Sequence, residues 1–149
     1  MDIILISIKT KYVNLIKKGT KKYEYRKSLF KSRNGLILVY SSGIDKKVSG
    51  IIYYKDVKVG MPEDIWNETG ENGGITREEF FSYYKGRTRA YAIEITKYIE
   101  FATPIYLSDN VVRPPQSYIY LDSVRQNKLG LDSSMILKLR AQSSLTMVS

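Results

Sequence analysis

The chain has 149 residues and a mass of 17.2 kDa, which suits one domain of ordinary size or a small domain with a tail. With 43% hydrophobic and 26% charged residues it can bury a core, so composition excludes disorder. There is no cysteine and no histidine, which excludes disulfides, thiolate or imidazole metal sites, a cysteine nucleophile and a histidine base. No acidic run resembles a calcium loop, and neither a metal nor a cofactor is expected. The longest early apolar run, Ile3-Ile4-Leu5-Ile6, is far too short for a membrane span or a signal peptide. These features predict a soluble, cytoplasmic chain with no membrane partner.

Charge is unevenly placed. Lysine and arginine number 24 against 15 acids, a net +9, and residues 1–60 hold fourteen basic residues against four acidic ones. Between 9 and 33, ten basic residues face the single acid Glu24. A positive face of this kind attracts polyanions, whereas lysines spread over a surface only keep a domain soluble.

In chain order, Ile3 to Ile8 is a short β-branched run that predicts a buried strand. Thr10 follows as a helix cap. The helix carries Tyr12, Val13, Leu15 and Ile16 on its apolar side, Lys11, Asn14, Lys17 and Lys18 opposite, and stops at Gly19. Lys22 to Arg26 alternates, with Tyr23 and Tyr25 on one face and Lys22, Glu24 and Arg26 on the other. Asn34-Gly35 marks a turn before the strand Leu36 to Tyr40. Val48 to Val59 reads as a strand with a bulge or close approach at Gly50. Pro62-Glu63-Asp64 opens a short helix through Trp66, and the glycine-rich stretch 69–74 is a loop. Thr76 and Glu79 have capping-box spacing, so 76–85 is a helix with Phe80, Phe81 and Tyr84 inward. Arg89 to Ile99 is a long strand, Pro104, Pro114 and Pro115 mark an irregular section after it, and Tyr118 to Leu121 is a last short strand.

About five or six strands with two or three peripheral helices, not regularly interleaved, make an α+β domain on a small β-barrel. The expected domain covers residues 1–122. Residues 123–149 are expected to be an appendage, helical near 133–140 and frayed at its end.

The block Gly19-Thr20-Lys21-Lys22-Tyr23-Glu24-Tyr25-Arg26 carries the chemistry. Gly19 lets the helix end and the chain turn, bringing Lys21 to the barrel mouth, where Lys21→Ala is expected to spare stability. Glu24 and Arg26 share a strand face, and the pair sets an acceptor beside a planar fork of donors. Spacing alone reads this pair as a structural ion pair at a rim.

The same block resembles the G-x-K-x-x-E-x-R signature of the ASCH domain, a branch of the PUA-like superfamily. The opening strand and helix, the strand Ala90-Tyr91-Ala92-Ile93-Glu94-Ile95 and the segment Pro115-Gln116-Ser117-Tyr118 extend the resemblance over about residues 3–122. It implies a PUA-like β-barrel with a cleft, lined by Lys21, Glu24 and Arg26, that suits RNA or a nucleotide. Tyr23, Tyr25, Tyr40 and Trp66 are candidates for stacking on a base, each with core packing as the other reading. Lys9, Lys11, Lys17, Lys18 and Lys22 would hold phosphates. Two alternatives accompany this reading. One small bacterial ASCH family hydrolyses N4-acetylcytidine; in that case Lys21, lowered in pKa by its basic neighbours, would act with Glu24 or Glu71. Glu24 stands here where that family has a hydroxyl residue, which removes its nucleophile. The other alternative is a transcription-related module that binds proteins.

Overall fold

The computed structural model of the chain describes residues 2–31, 35–107, 112–132, 134–135 and 137–138. Strand β1 (Asp2–Lys9) leads into helix α1 (Thr10–Lys17), then β2 (Tyr23–Arg26), β3 (Gly35–Ser42) and β4 (Lys47–Gly60). Helix α2 (Pro62–Thr69), a 3₁₀ turn (Gly70–Asn72) and helix α3 (Arg77–Tyr83) precede β5 (Ala90–Ile105), β6 (Tyr118–Tyr120) and α4 (Ser123–Lys128). The strands hydrogen-bond in the order β2-β5-β4-β3-β1-β6. β1 runs parallel to β3, while the pairs β1–β6, β2–β5 and β3–β4 are antiparallel. The α+β class follows, with six strands and, among the described residues, four α-helices where two or three were expected.

Two compact units divide the chain: residues 1–10, 32–53 and 97–149 form the first, and 11–31 with 54–96 the second. In the first, β1 is buried from Ile3 through Ile6, the two-sided burial that a strand needs when one neighbour is parallel. Leu5, Leu38, Val48 and Ile51 are essentially inaccessible in its core. Between β3 and β4 the register shifts, with Val39 opposite Gly50 and Tyr40 opposite Val48, so the expected bulge is present. Gly50 is also a close approach, since a Cβ there would strike the Ile99 carbonyl and lie 2.8 Å from the Tyr98 hydroxyl.

Several expectations need correction. Thr10 is the first helical residue, and its hydroxyl donates to the Ser42 carbonyl (2.8 Å) and accepts from the Asp45 N–H (3.2 Å). Strand β5 runs through Pro104. Its ladder with β2 covers only Tyr91–Glu94, so a missing N–H further along interrupts no bond to that strand. Beyond residue 122 a further helix, not expected, covers 123–128, begun by the Asp122 carboxylate, which accepts from the Arg125 N–H at 2.8 Å. Leu129 and Leu131 then join the first unit's core. The expected Asn34 turn lies outside the described residues; in the expected helix near 133–140, residues 134–135 and 137–138 are helical and the rest lie outside the described residues.

The second unit holds α1, β2, α2 and α3, with a core of Tyr25, Ile65, Phe80, Tyr84, Ala90 and Ala92. Phe80 is fully buried and has Tyr25 edge-on at 4.9 Å, Tyr84 at 4.8 Å and Trp66 at 5.2 Å. The capping box is realised at α3: Thr76 Oγ accepts from the Glu79 N–H at 3.1 Å, and the Glu79 carboxylate accepts from the Thr76 N–H.

Candidate functional site

Helix α1 ends in a Schellman motif. The Gly19 N–H donates to the Ile16 carbonyl and the Thr20 N–H to the Leu15 carbonyl, both at 3.0 Å, with Gly19 at φ +78°. Open space surrounds Gly19, so glycine is required there for its dihedral rather than for room. The Leu15 carbonyl also accepts from the Lys21 N–H, and the Asn72 carbonyl takes the Lys22 N–H at 2.7 Å. These bonds fix Lys21 where the turn meets β2.

From that position the Lys21 side chain runs inward, not to an open mouth. Its amine donates to the Gly73 carbonyl at 2.7 Å, lies 3.8 Å from Glu24 Oε1 and sits 4.9 Å above the Tyr25 ring and 5.3 Å above that of Tyr12. Arg26 Nη1 donates to Glu24 Oε2 at 3.0 Å. The Lys21, Glu24 and Arg26 side chains are 2%, 6% and 11% exposed, so one carboxylate serves two cations in a nearly dry place. Burial pushes the Lys21 amine below its ordinary range; Glu24 opposes that and Arg26 adds to it. Desolvation is therefore the main cause, ahead of the basic neighbours expected from sequence.

Sequence reasoning missed the frame around this triad. Gly73 supplies the carbonyl, and a Cβ on it would collide with the Tyr25 ring and hydroxyl. A Cβ on Gly74 would lie 2.8 Å from Lys21 Cβ, and its φ is +71°. Thr69 gives its proton to the Ile65 carbonyl, so the Tyr25 hydroxyl donates to Thr69 at 2.8 Å. The Tyr84 hydroxyl, fully inside, donates to the Arg26 carbonyl at 2.9 Å and clamps the end of β2. The only sequence signal for this frame was the cluster Gly70, Gly73 and Gly74, which reads simply as a loop.

The other candidate residues are scattered. Glu71 is exposed on the 3₁₀ turn. Tyr23 is half-buried beside the second unit's core, and Trp66 packs on Phe80, on Phe81 and over Gly70. Tyr40 lies in the first unit's core at 7% exposure. Lys11, Lys17, Lys18 and Lys22 are exposed on α1 and the turn after it, while Lys9 is exposed at the end of β1 in the first unit. Among the described residues no group of three or more acidic side chains could hold a metal ion, and no helix is long and apolar enough to cross a membrane.

The ASCH domain family model matches residues 6–105, a span that contains the whole triad. The chain belongs to the ASCH domain family. Its fold is the PUA-like α+β fold of ASCH crystal structures. The ASCH protein of Zymomonas mobilis, solved both unmutated and as a serine-to-alanine mutant, superposes with TM-scores of 0.76 and 0.77 at 22% identity, covering 86% of this chain and 93% and 94% of those. The N-terminal domain of Staphylothermus marinus McrB is similar more distantly, with a TM-score of 0.52, 12% identity and coverage of 86% and 92%. Among curated proteins, large ribosomal subunit protein uL22 of Ureaplasma parvum is 30% identical over 86 residues, 57% of this ASCH chain. The chain spans only 28% of the length of those relatives.

Proposed function

We propose that this ASCH domain binds RNA, with the Lys21–Glu24–Arg26 triad beside the bound strand and the exposed lysines of α1 on its phosphates. The observation that carries the reading is the charge distribution of the second unit. Lys11, Lys17, Lys18 and Lys22 are exposed on one helix and its exit turn. Behind that turn, the buried triad holds two cations against one carboxylate. A face of exposed lysines attracts a polyanion, and the strand it holds then lies beside the triad. The similarity to a protein of the large ribosomal subunit supports RNA over DNA as the polyanion.

A salt titration tests this. Each phosphate contact releases counterions, so log Kd for a single-stranded RNA should rise steeply with log salt. Replacing Lys11, Lys17 and Lys18 with glutamine should weaken binding alike for all sequences and flatten that slope, with melting temperature little changed. An unchanged slope would leave those lysines as solubilising charge only.

The buried position of Lys21, which lowers its basicity, favours a second reading, hydrolysis of an N4-acylated cytidine, because desolvation makes an amine readier to give up its proton. Acetate released from N4-acetylcytidine by the wild type and not by Lys21→Met would establish it. No acetate from the wild type would remove it.

A further inference from the structure

The geometry points to Tyr83 as the residue on which an unpaired nucleobase of the bound RNA stacks, a role that goes with none of the aromatics picked out by sequence. The inference rests on the RNA-binding reading of this site. Tyr83 is the last residue of α3 and, among the described residues, the most exposed aromatic side chain of the second unit, at 36%. Tyr25, Trp66 and Tyr84 have their rings committed to Phe80.

Tyr83 also stands close to the triad. The amine over its ring comes from Lys27, the residue after Arg26. The edge-to-face contact with Tyr84, 4.8 Å between centroids, fixes the ring's tilt, and the Tyr84 hydroxyl is itself anchored on the Arg26 carbonyl. Tyr83 is thus held by the same frame that holds Arg26.

What covers the ring is a charge. The Lys27 amine lies 4.6 Å from the ring centroid, on an exposed side chain. Such a cation–π contact at an exposed site is weak, and a base presents its own π-face over the same ring. A base that stacks there displaces the ammonium, which is then free to follow the adjoining phosphate. Ring and displaced lysine together suit one nucleotide with its 5′ or 3′ phosphate.

The experiment uses the full chain and a single-stranded oligouridylate of about eight nucleotides, within the usual footprint of such sites, carrying 2-aminopurine at one position. Tyr83→Ala is expected to weaken binding by about 5- to 150-fold, the range that alanine gives at stacking aromatics, with the salt slope unchanged. Tyr83→Phe should bind like the wild type, because it keeps the ring. Fluorescence quenching of 2-aminopurine on binding should occur with wild type and Tyr83→Phe and be lost with Tyr83→Ala. Should Tyr83→Ala fail to fold, Tyr83→Leu takes its place with the same expectation, and absence of quenching in the wild type overturns stacking. Wild-type affinity in a folded Tyr83→Ala would overturn the assignment and leave RNA binding standing. A loss in Tyr83→Phe equal to that in Tyr83→Ala would also overturn it, in favour of a contact by the hydroxyl. If the wild type itself binds no RNA, both this assignment and the reading beneath it fall.

Discussion

Burial acts on Lys21 more strongly than its ion pair does, and the sign of that balance can be measured. In the fold the amine holds its proton less tightly than its ordinary value of 10.5, so below that value the unfolded chain binds more protons. Stability should therefore rise with pH from the lowered value of Lys21 up towards 10.5. The phenols of Tyr25, Tyr53, Tyr83 and Tyr84 are all shifted upward from 10.0 by burial, so their contribution is complete below that value and is lost only above it. Denaturant midpoints between about pH 7 and about pH 10 should climb for the wild type and stay flatter for Lys21→Met. A variant that climbs equally would show that another group is responsible. The same residue corrects an expectation: Lys21→Ala cannot spare stability, because its amine satisfies the Gly73 carbonyl inside the protein. Losing that bond should cost about 1–3 kcal/mol. Glu24→Ala should cost more, about 3–5 kcal/mol, since it leaves two buried cations without their carboxylate. Thermal or urea melts of the two variants that reversed this order would refute the triad's charge balance.

At the scale of elements, the glycine turn after α2 and the strand β2 fit each other closely. Gly73→Ala should push on the Tyr25 ring and withdraw the carbonyl from Lys21, a loss of about 1–3 kcal/mol of the kind overpacking produces. Tyr25→Phe alone should cost about 1 kcal/mol through its bond to Thr69. The double variant should cost less than the two added, because removing the hydroxyl relieves part of the collision. Strict additivity in a double-mutant cycle would mean that the turn shifts as a whole instead. Here the limits of reading by pattern are plain. The alternation Tyr23-Glu24-Tyr25-Arg26 and the Thr76–Glu79 spacing are local regularities, and both elements formed where those regularities put them. Gly73 meeting Tyr25 is a contact between residues far apart in sequence, and no periodicity encodes it. Tyr40 and Trp66 show the same limit: an aromatic side chain looks alike in sequence whether it faces solvent or a core.

For the whole molecule, the strands were legible where they are apolar runs, as in β1 and β3, or alternate, as in β2. Their order was not. The pairing of β1 with β6 closes a loop of more than a hundred residues, as the Ser7 hydroxyl donating to the Pro115 carbonyl illustrates. Closing so long a loop is slow, so these bonds should form late. In pulse-labelled hydrogen exchange during refolding, the amides of Ser7 and Leu121, which donate to Ser117 and Ile3, should gain protection after those of the β3–β4 hairpin. Protection of Ser7 and Leu121 in the first phase would contradict a topology-limited sequence.

The interleaving of the two units also has a meaning for a chain made from its amino end. When the residue at position 96 has been added, every residue of the second unit exists, including the triad and the glycine turn that frames it. β1 was made first, yet its antiparallel neighbour and the leucines at 129 and 131 have still to be synthesised. The oldest strand thus waits longest for its last partner, and throughout that wait Ile4, Leu5 and Ile6 offer an apolar, unpaired edge. A growing chain with this layout has the unit that carries the triad in hand while its greasiest strand is still in need of cover, the interval in which a chaperone is most useful to it.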